Sequence, residues 1–250
     1  MAGATNVSTL TYIGRGGLAG ACAGLFSGLV SLLLAEPTID RAIALEHEKA
    51  AAAGEEHGAE LFTRDVQHIG LLIAATLTGL AIGIIFGLVY AILHRNQPEA
   101  DPWGRSLRLA VAGFLGVGLL PFLRYPANPP GVGDPDTVDA RTTAWLAAIV
   151  IGIATMLTAR LVSASLAKRV ASEPVRQLAT VGVVLLGFAV LFLLPNSPDA
   201  INAPADLLWT FRIFSLMAIA VLWAGLGVGF GLAGLRSKQA VRTVEATSAT

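Results

Sequence analysis

The sequence predicts an all-α, polytopic integral membrane protein, a bundle of six transmembrane helices with a partial parallel internal repeat. Three observations carry this expectation. Of the 250 residues, 54% are hydrophobic and only 14% are charged, against about 25% charged in soluble domains. Mean hydropathy is +0.68. The apolar residues also fall into continuous runs without Asp, Glu, Lys, Arg or His, unlike the alternating strands of a membrane barrel. This composition excludes an ordinary water-soluble enzyme and a nucleic-acid binder. The single cysteine, Cys22, excludes an internal disulfide framework and a Cys-x-x-Cys site, and its apolar surroundings suit packing.

A helix needs about 20 residues to cross about 30 Å of hydrocarbon. Runs at 16–35, 69–93, 142–159, 177–198 and 213–235 are 18 to 25 residues long. The run at 109–123 has only 15, and Arg108 extends it to about 106–123 by snorkelling to the interface. The first run exceeds the roughly 7–15 residues of a signal-peptide core, and no Ala-x-Ala pattern follows it, so it reads as a retained anchor. The expected organisation is one membrane domain over 1–250, with an acidic, histidine-containing outer loop at 36–68 and a cytoplasmic tail at 236–250.

Basic residues orient such a chain, because cytoplasmic loops carry the excess of Lys and Arg. Six spans put eleven basic residues on the side of the termini and six on the other side. The plasma membrane is therefore the expected location, with both termini cytoplasmic. Only four acidic residues fall inside and thirteen outside, so the outer face carries a net −7. Such a face concentrates cations; the alternative is a solvated, solubilising loop.

The third and fifth spans share the pattern Gly-Phe-x4-Leu-Leu-Pro-x6-Asn-x-Pro. It runs from Gly113 to Pro130 and again from Gly187 to Pro204, at an offset of 74. Both copies run in the same direction. Such duplications in transporters often flank the substrate path, although two helix-stopping turns would leave the same trace. Gly79, Gly83 and Gly87 in the second span, with Gly225, Gly227, Gly229 and Gly231 in the sixth, have the four-residue spacing that lets helices approach closely in lipid.

Candidate metal ligands concentrate in the 36–68 loop. Pro37 suits a first helical turn, and a helix is expected over about 37–53. At 100° per residue, Glu36, Asp40 and His47 share one stripe, but Asp40 and His47 lie about 10 Å apart along the axis and cannot hold one ion together. Carboxylate and imidazole together suit a borderline divalent ion, so Glu36, Asp40, Glu46, His47 and His68 are the candidate metal residues. His68 stands at the mouth of the second span. His57 and its acidic neighbours read better as a solvated loop. A second outer loop, 124–142, is rigid with proline; Arg124, Tyr125, Asn128, Asp134, Asp136 and Arg141 are its candidate vestibule residues.

No P-loop, His-Glu-x-x-His or Gly-x-Ser-x-Gly pattern occurs, no nucleophile–base pair is visible, and no enzymatic activity is expected. No carboxylate lies mid-span to serve as a proton relay. The residues resemble the CbtA family of cobalt transporter subunits. The resemblance rests on Glu36-Pro37-x-Ile39-x-x-Ala42-Ile43-x-Leu45-Glu46, on Arg64-x-x-Gln67-x-x-Gly70-Leu71, and above all on Pro121-Phe122-Leu123-Arg124-Tyr125-Pro126-Ala127-Asn128-Pro129-Pro130 with Gly133-Asp134-Pro135-Asp136-Thr137. It implies cobalt uptake associated with cobalamin metabolism, and a small single-span CbtB-like partner with a histidine-rich end. Two departures stand out: the family is described with five spans rather than six, and this chain has no histidine cluster of its own. The expected function is the membrane subunit of a divalent-cation uptake transporter, with Co²⁺ as the transported ion, no permanently bound cofactor, and membrane lipid as its surroundings. The alternative is a non-transporting scaffold whose proline-rich outer loops dock a partner.

Overall fold

The computed structural model describes residues 8–54, 62–94, 101–130, 132–169, 172–197 and 203–248. Eight α-helices run through these residues: α1 (Thr9–Leu34), α2 (Glu36–Ala53), α3 (Arg64–His94), α4 (Pro102–Gly113), α5 (Leu120–Arg124), α6 (Val138–Arg169), α7 (Glu173–Leu191) and α8 (Ala205–Ser248). A π-helical turn, Phe114–Leu119, joins α4 to α5 into one continuous span. Six stretches are long and apolar enough to cross a membrane: Thr9–Leu34, Arg64–His94, Pro102–Arg124, Pro135–Arg169, Glu173–Leu191 and Ala205–Ser237. These correspond one for one with the six runs expected from the sequence.

Their exterior is that of a lipid-facing protein. Leu18, Leu33, Leu178 and Leu193 are each more than 70% exposed. In water, apolar exposure on this scale marks an association surface; in hydrocarbon it carries no penalty.

The chain divides into two compact units. The first comprises Met1–Leu34, Gly58–Val111 and Met217–Thr250; the second comprises Ala35–His57 and Ala112–Leu216. In the first unit, α1 and α3 run antiparallel through a glycine seam. A Cβ built on Gly79, Gly83 or Gly87 would strike the backbone of Gly20, Gly16 or Tyr12 respectively. Gly16, Gly20 and Gly24 of α1 supply the other half of that seam, against Gly83, Gly79 and Ala75. Backbones this close gain dispersion contacts that lipid cannot match. The α8 glycines divide between two partners, Gly225 and Gly229 facing Ala23 and Ala19 of α1, and Gly227 and Gly231 facing Ala110 and Trp103 of α4. Ser106, fully buried, donates its hydroxyl to the Gly227 carbonyl. One end of this unit is closed by Tyr12, Phe86, Tyr90 and Phe230. The Arg15 guanidinium lies 5.4 Å from the Phe230 ring centroid.

In the second unit, Leu120, Ala148 and Leu191 form a core joined by Ile151, Met156, Phe188 and Leu194. Gly116 and Gly152 meet backbone to backbone, so a Cβ on Gly152 would collide with the Gly116 carbonyl. Gly187 sits against the Thr155 side chain in the same way.

The two copies of the repeated pattern adopt different local structures. Proline cannot donate to the carbonyl four residues earlier, and its ring clashes with that carbonyl. In the first copy the π-helical turn absorbs this conflict: the Leu120 N–H bonds the Leu115 carbonyl five residues back, and the helix continues past Pro121 to Arg124. In the second copy α7 simply ends at Leu191, four residues before Pro195. This is why the fifth span stops short of the expected residue 198. The last residue but two of the second copy, Asn202, lies outside the described residues.

The helix expected over 37–53 is α2, which follows α1 after the single residue Ala35. Pro37 stands in its first turn, and Gly54 closes it in the left-handed conformation (φ 72°), its N–H bonding the Ala50 and Ala51 carbonyls.

Candidate functional site

Five candidate metal residues were expected in and beside the 36–68 loop. Four of them ride on α2. Glu36 is buried at its start, whereas Asp40, Glu46 and His47 are exposed. The shared stripe of Glu36, Asp40 and His47 therefore divides by burial, because Glu36 sits where α1 turns into α2. Thr38 and Ala42 are buried further along the helix. His68 is half-buried in the first turns of α3 and belongs to the other compact unit. His57, Glu55 and Glu56 lie outside the described residues. Among the described residues, no three His, Cys, Asp or Glu side chains gather as a metal-binding group. Among the described residues the candidates on α2 are therefore dispersed side chains and not a preformed cage.

The 124–142 loop is more fully built. Arg124, at the end of α5, turns its guanidinium onto the open end of α7. Nε donates to the Leu191 carbonyl at 3.1 Å, and Nη2 donates to the Leu194 and Pro195 carbonyls at 2.7 and 2.9 Å and to Asn196 Oδ1 at 2.8 Å. Leu191 is the residue four before Pro195, so its carbonyl loses the i+4 donor; the Leu194 N–H bonds it at 3.2 Å and Arg124 adds a second bond. The Arg124 charge also meets the negative end of the α7 dipole, and Tyr125 donates its hydroxyl to the Pro195 carbonyl at 2.6 Å. Arg124, a candidate vestibule residue, thus caps a helix from a second span.

Asp134 and Asp136 shape the turn that leads into α6. Asp134 Oδ1 accepts from the Asp136 N–H at 2.9 Å, and the Asp134 carbonyl accepts from Thr137 Oγ1 at 2.7 Å and from Arg141 Nη2 at 3.1 Å. The loop's other wall is held by Arg212 of α8, which donates from Nε to the Ala127 carbonyl at 3.3 Å and from Nη2 to Asn128 Oδ1 at 2.9 Å.

Between these groups lies a cavity of about 610 Å³, within the size range of a ligand pocket. Arg124, Tyr125, Asn128 and Arg141 line it, together with Arg212 and Trp145. Asp134 and Asp136 lie outside this lining. Arg212 and Trp145 were not among the sequence candidates. A charged residue abutting the sixth apolar run could have flagged Arg212, since such residues seldom face lipid. Trp145 carried no sequence signal beyond the usual aromatic belt.

The family described as "Probable cobalt transporter subunit (CbtA)" matches residues 9–234. No curated protein and no solved structure matches the chain.

Proposed function

Because this chain belongs to the CbtA family of probable cobalt transporter subunits, we propose that it forms the membrane part of a Co²⁺ uptake system in which α2 receives the ion. The multi-pass helical architecture and the family's description support a transport subunit rather than an enzyme. The observation that carries the finer reading is α2 itself. It continues directly from a membrane span and holds a buried carboxylate, Glu36, at that junction, with Asp40, Glu46 and His47 on its exposed surface.

In this reading both termini are cytoplasmic and the outer face, with its excess of acidic residues, raises the local cation concentration. Glu36, Asp40, Glu46 and His47 form the entry region, with the 124–142 loop as its rim, and His68 of α3 is a further proposed ligand. The two repeat copies line the path onward, their shared seam being the Leu120–Leu191 core and the Arg124 cap. The 1–250 chain works as one membrane domain. The membrane potential supplies about 2.3 kcal/mol per charge per 100 mV, so a divalent ion gains about twice that and ATP is not required. A small CbtB-like subunit with a histidine-rich end completes the ligand set that this chain leaves dispersed.

Total-metal analysis of cells expressing the chain, alone and with such a partner, tests the reading. Selective cobalt accumulation is expected, and Glu36→Gln combined with His68→Ala should lower it at least about tenfold. Uptake that is unchanged in this double variant removes the entry region. No accumulation with either arrangement, in cells where the chain is inserted, leaves the scaffold as the better description.

A further inference from the structure

The cavity beneath the 124–142 loop has the wrong sign for a bare cation. Three of its lining residues are arginines, Arg124, Arg141 and Arg212, and among the described residues no acidic side chain lines it. Arg124 and Arg212 are half-buried, and every bond they make goes to a neutral carbonyl or amide oxygen. Carbonyl dipoles orient these guanidiniums without cancelling their charge. Partly desolvated cations of this kind are costly until an anion joins them. The fork geometry of arginine fits oxyanions that accept several donors at once, and Asn128, Thr142 and Ser197 add polar groups to the same wall.

Position narrows the class of anion. Arg124 closes one span and Arg141 opens the next, so the cavity lies at a membrane–water interface. Its remaining wall is carbon: Val138 and Trp145 are 49% and 44% exposed, and below Trp145 the surface of α6 continues through exposed Leu146, Val150 and Ile153. A charged headgroup in the cavity would therefore have an apolar track beside it for the chains it carries.

We propose that this cavity is an oxyanion site that takes a phosphate group, either the headgroup phosphate of an anionic phospholipid or a soluble phosphate. The proposal concerns binding by the second unit alone and does not rest on the transport reading. Arg124 and Arg212 serve two tasks, holding the loop and α7 through some donors and receiving the anion through the rest.

The full chain, purified in an uncharged detergent, provides the test. Thermal unfolding is followed with inorganic phosphate, with short-chain phosphatidylglycerol, and with acetate or chloride at matched ionic strength. Saturable stabilisation by one of the first two is expected, and the more effective of them identifies the source. Arg212→Gln and Arg141→Gln should each raise the half-saturating concentration about tenfold or more, with Arg212→Lys intermediate. In the unmodified protein, phosphate or phosphatidylglycerol should slow phenylglyoxal labelling of these arginines, read by mass spectrometry, which needs no variant to fold. Equal stabilisation by acetate or chloride overturns the proposal. So does labelling that neither phosphate probe slows, or a half-saturating concentration that both folded Gln variants leave unchanged.

Discussion

Arg124 shows how one side chain resolves a conflict written elsewhere in the sequence. Pro195 deprives the Leu191 carbonyl of its helical donor, and Arg124 supplies another from 67 residues away. Charge-assisted bonds of this type contribute about 1.5–3 kcal/mol each. Arg124→Ala should therefore lower stability by about 1.5–3 kcal/mol, measured by unfolding in detergent, because the Leu194 carbonyl and Asn196 Oδ1 lose the guanidinium while Leu191 and Pro195 keep the Leu194 N–H and the Tyr125 hydroxyl. Arg124→Lys should recover only part of this, since a point charge cannot reproduce the fork that reaches Nε and Nη2 acceptors together. If the alanine variant unfolds like the original, the carbonyls have found water and the cap is not structural. The Arg41–Asp206 pair makes a useful contrast: at 2.7 Å it is well formed, yet both side chains are more than half exposed. Exposed pairs contribute about 0–1 kcal/mol, so Arg41→Gln should barely move the same transition.

Among the elements, the α1–α3 seam depends on glycine most strictly. Gly83 has the Gly16 carbonyl where its Cβ would stand, with no side chain able to move aside. Gly83→Ala must separate the two helices, and an overpacking cost of about 1–3 kcal/mol is expected. Gly182 of α7 has open space around it, so Gly182→Ala should be neutral or stabilising by up to about 1 kcal/mol through helix propensity. Comparing the two variants by thermal unfolding separates a contact role from a general effect of glycine removal; equal outcomes would dismiss the seam. The π-helical turn belongs to this scale as well. It lets one helix run past Pro121 where α7 stops before Pro195, so identical residues at an offset of 74 lead to a continuous span in one place and a terminus in the other.

Taken over the whole molecule, cobalt uptake driven by the membrane potential carries its own prediction. In vesicles with an imposed inside-negative potential, radiolabelled Co²⁺ should enter without ATP, and dissipating the potential should reduce the initial rate. Entry that persists without a potential but stops without ATP would sink this coupling. The arginine-lined cavity adds a constraint to the proposed route: its guanidiniums disfavour a free divalent cation, so that route places the ion on the α2 surface rather than in this pocket. An anion seated among Arg124, Arg141 and Arg212 would also lower the positive potential that this loop presents to the approaching ion.

The six spans, the α2 helix and its glycine stop were legible in the amino-acid order, because lipid and backbone geometry act on local composition. Continuous apolar runs have few ways to satisfy their backbone in a bilayer, and Pro37 and Gly54 mark a helix start and end by their own dihedral preferences. The α3 glycine spacing announced a close approach but not its partner, since α1 carries its complementary glycines on a face that only packing selects. The chemistry of the 124–142 loop was likewise visible as a list of residues and not as a site. Sequence placed Arg124 and Arg141 in one loop with Asp134 and Asp136 without saying what each would touch. Tertiary structure assembled them, bringing Leu191 and Arg212 from distant spans to the same loop, because the carbonyls at the end of α7 and the loop oxygens at Ala127 and Asn128 have acceptor capacity that only packing can meet with guanidinium donors.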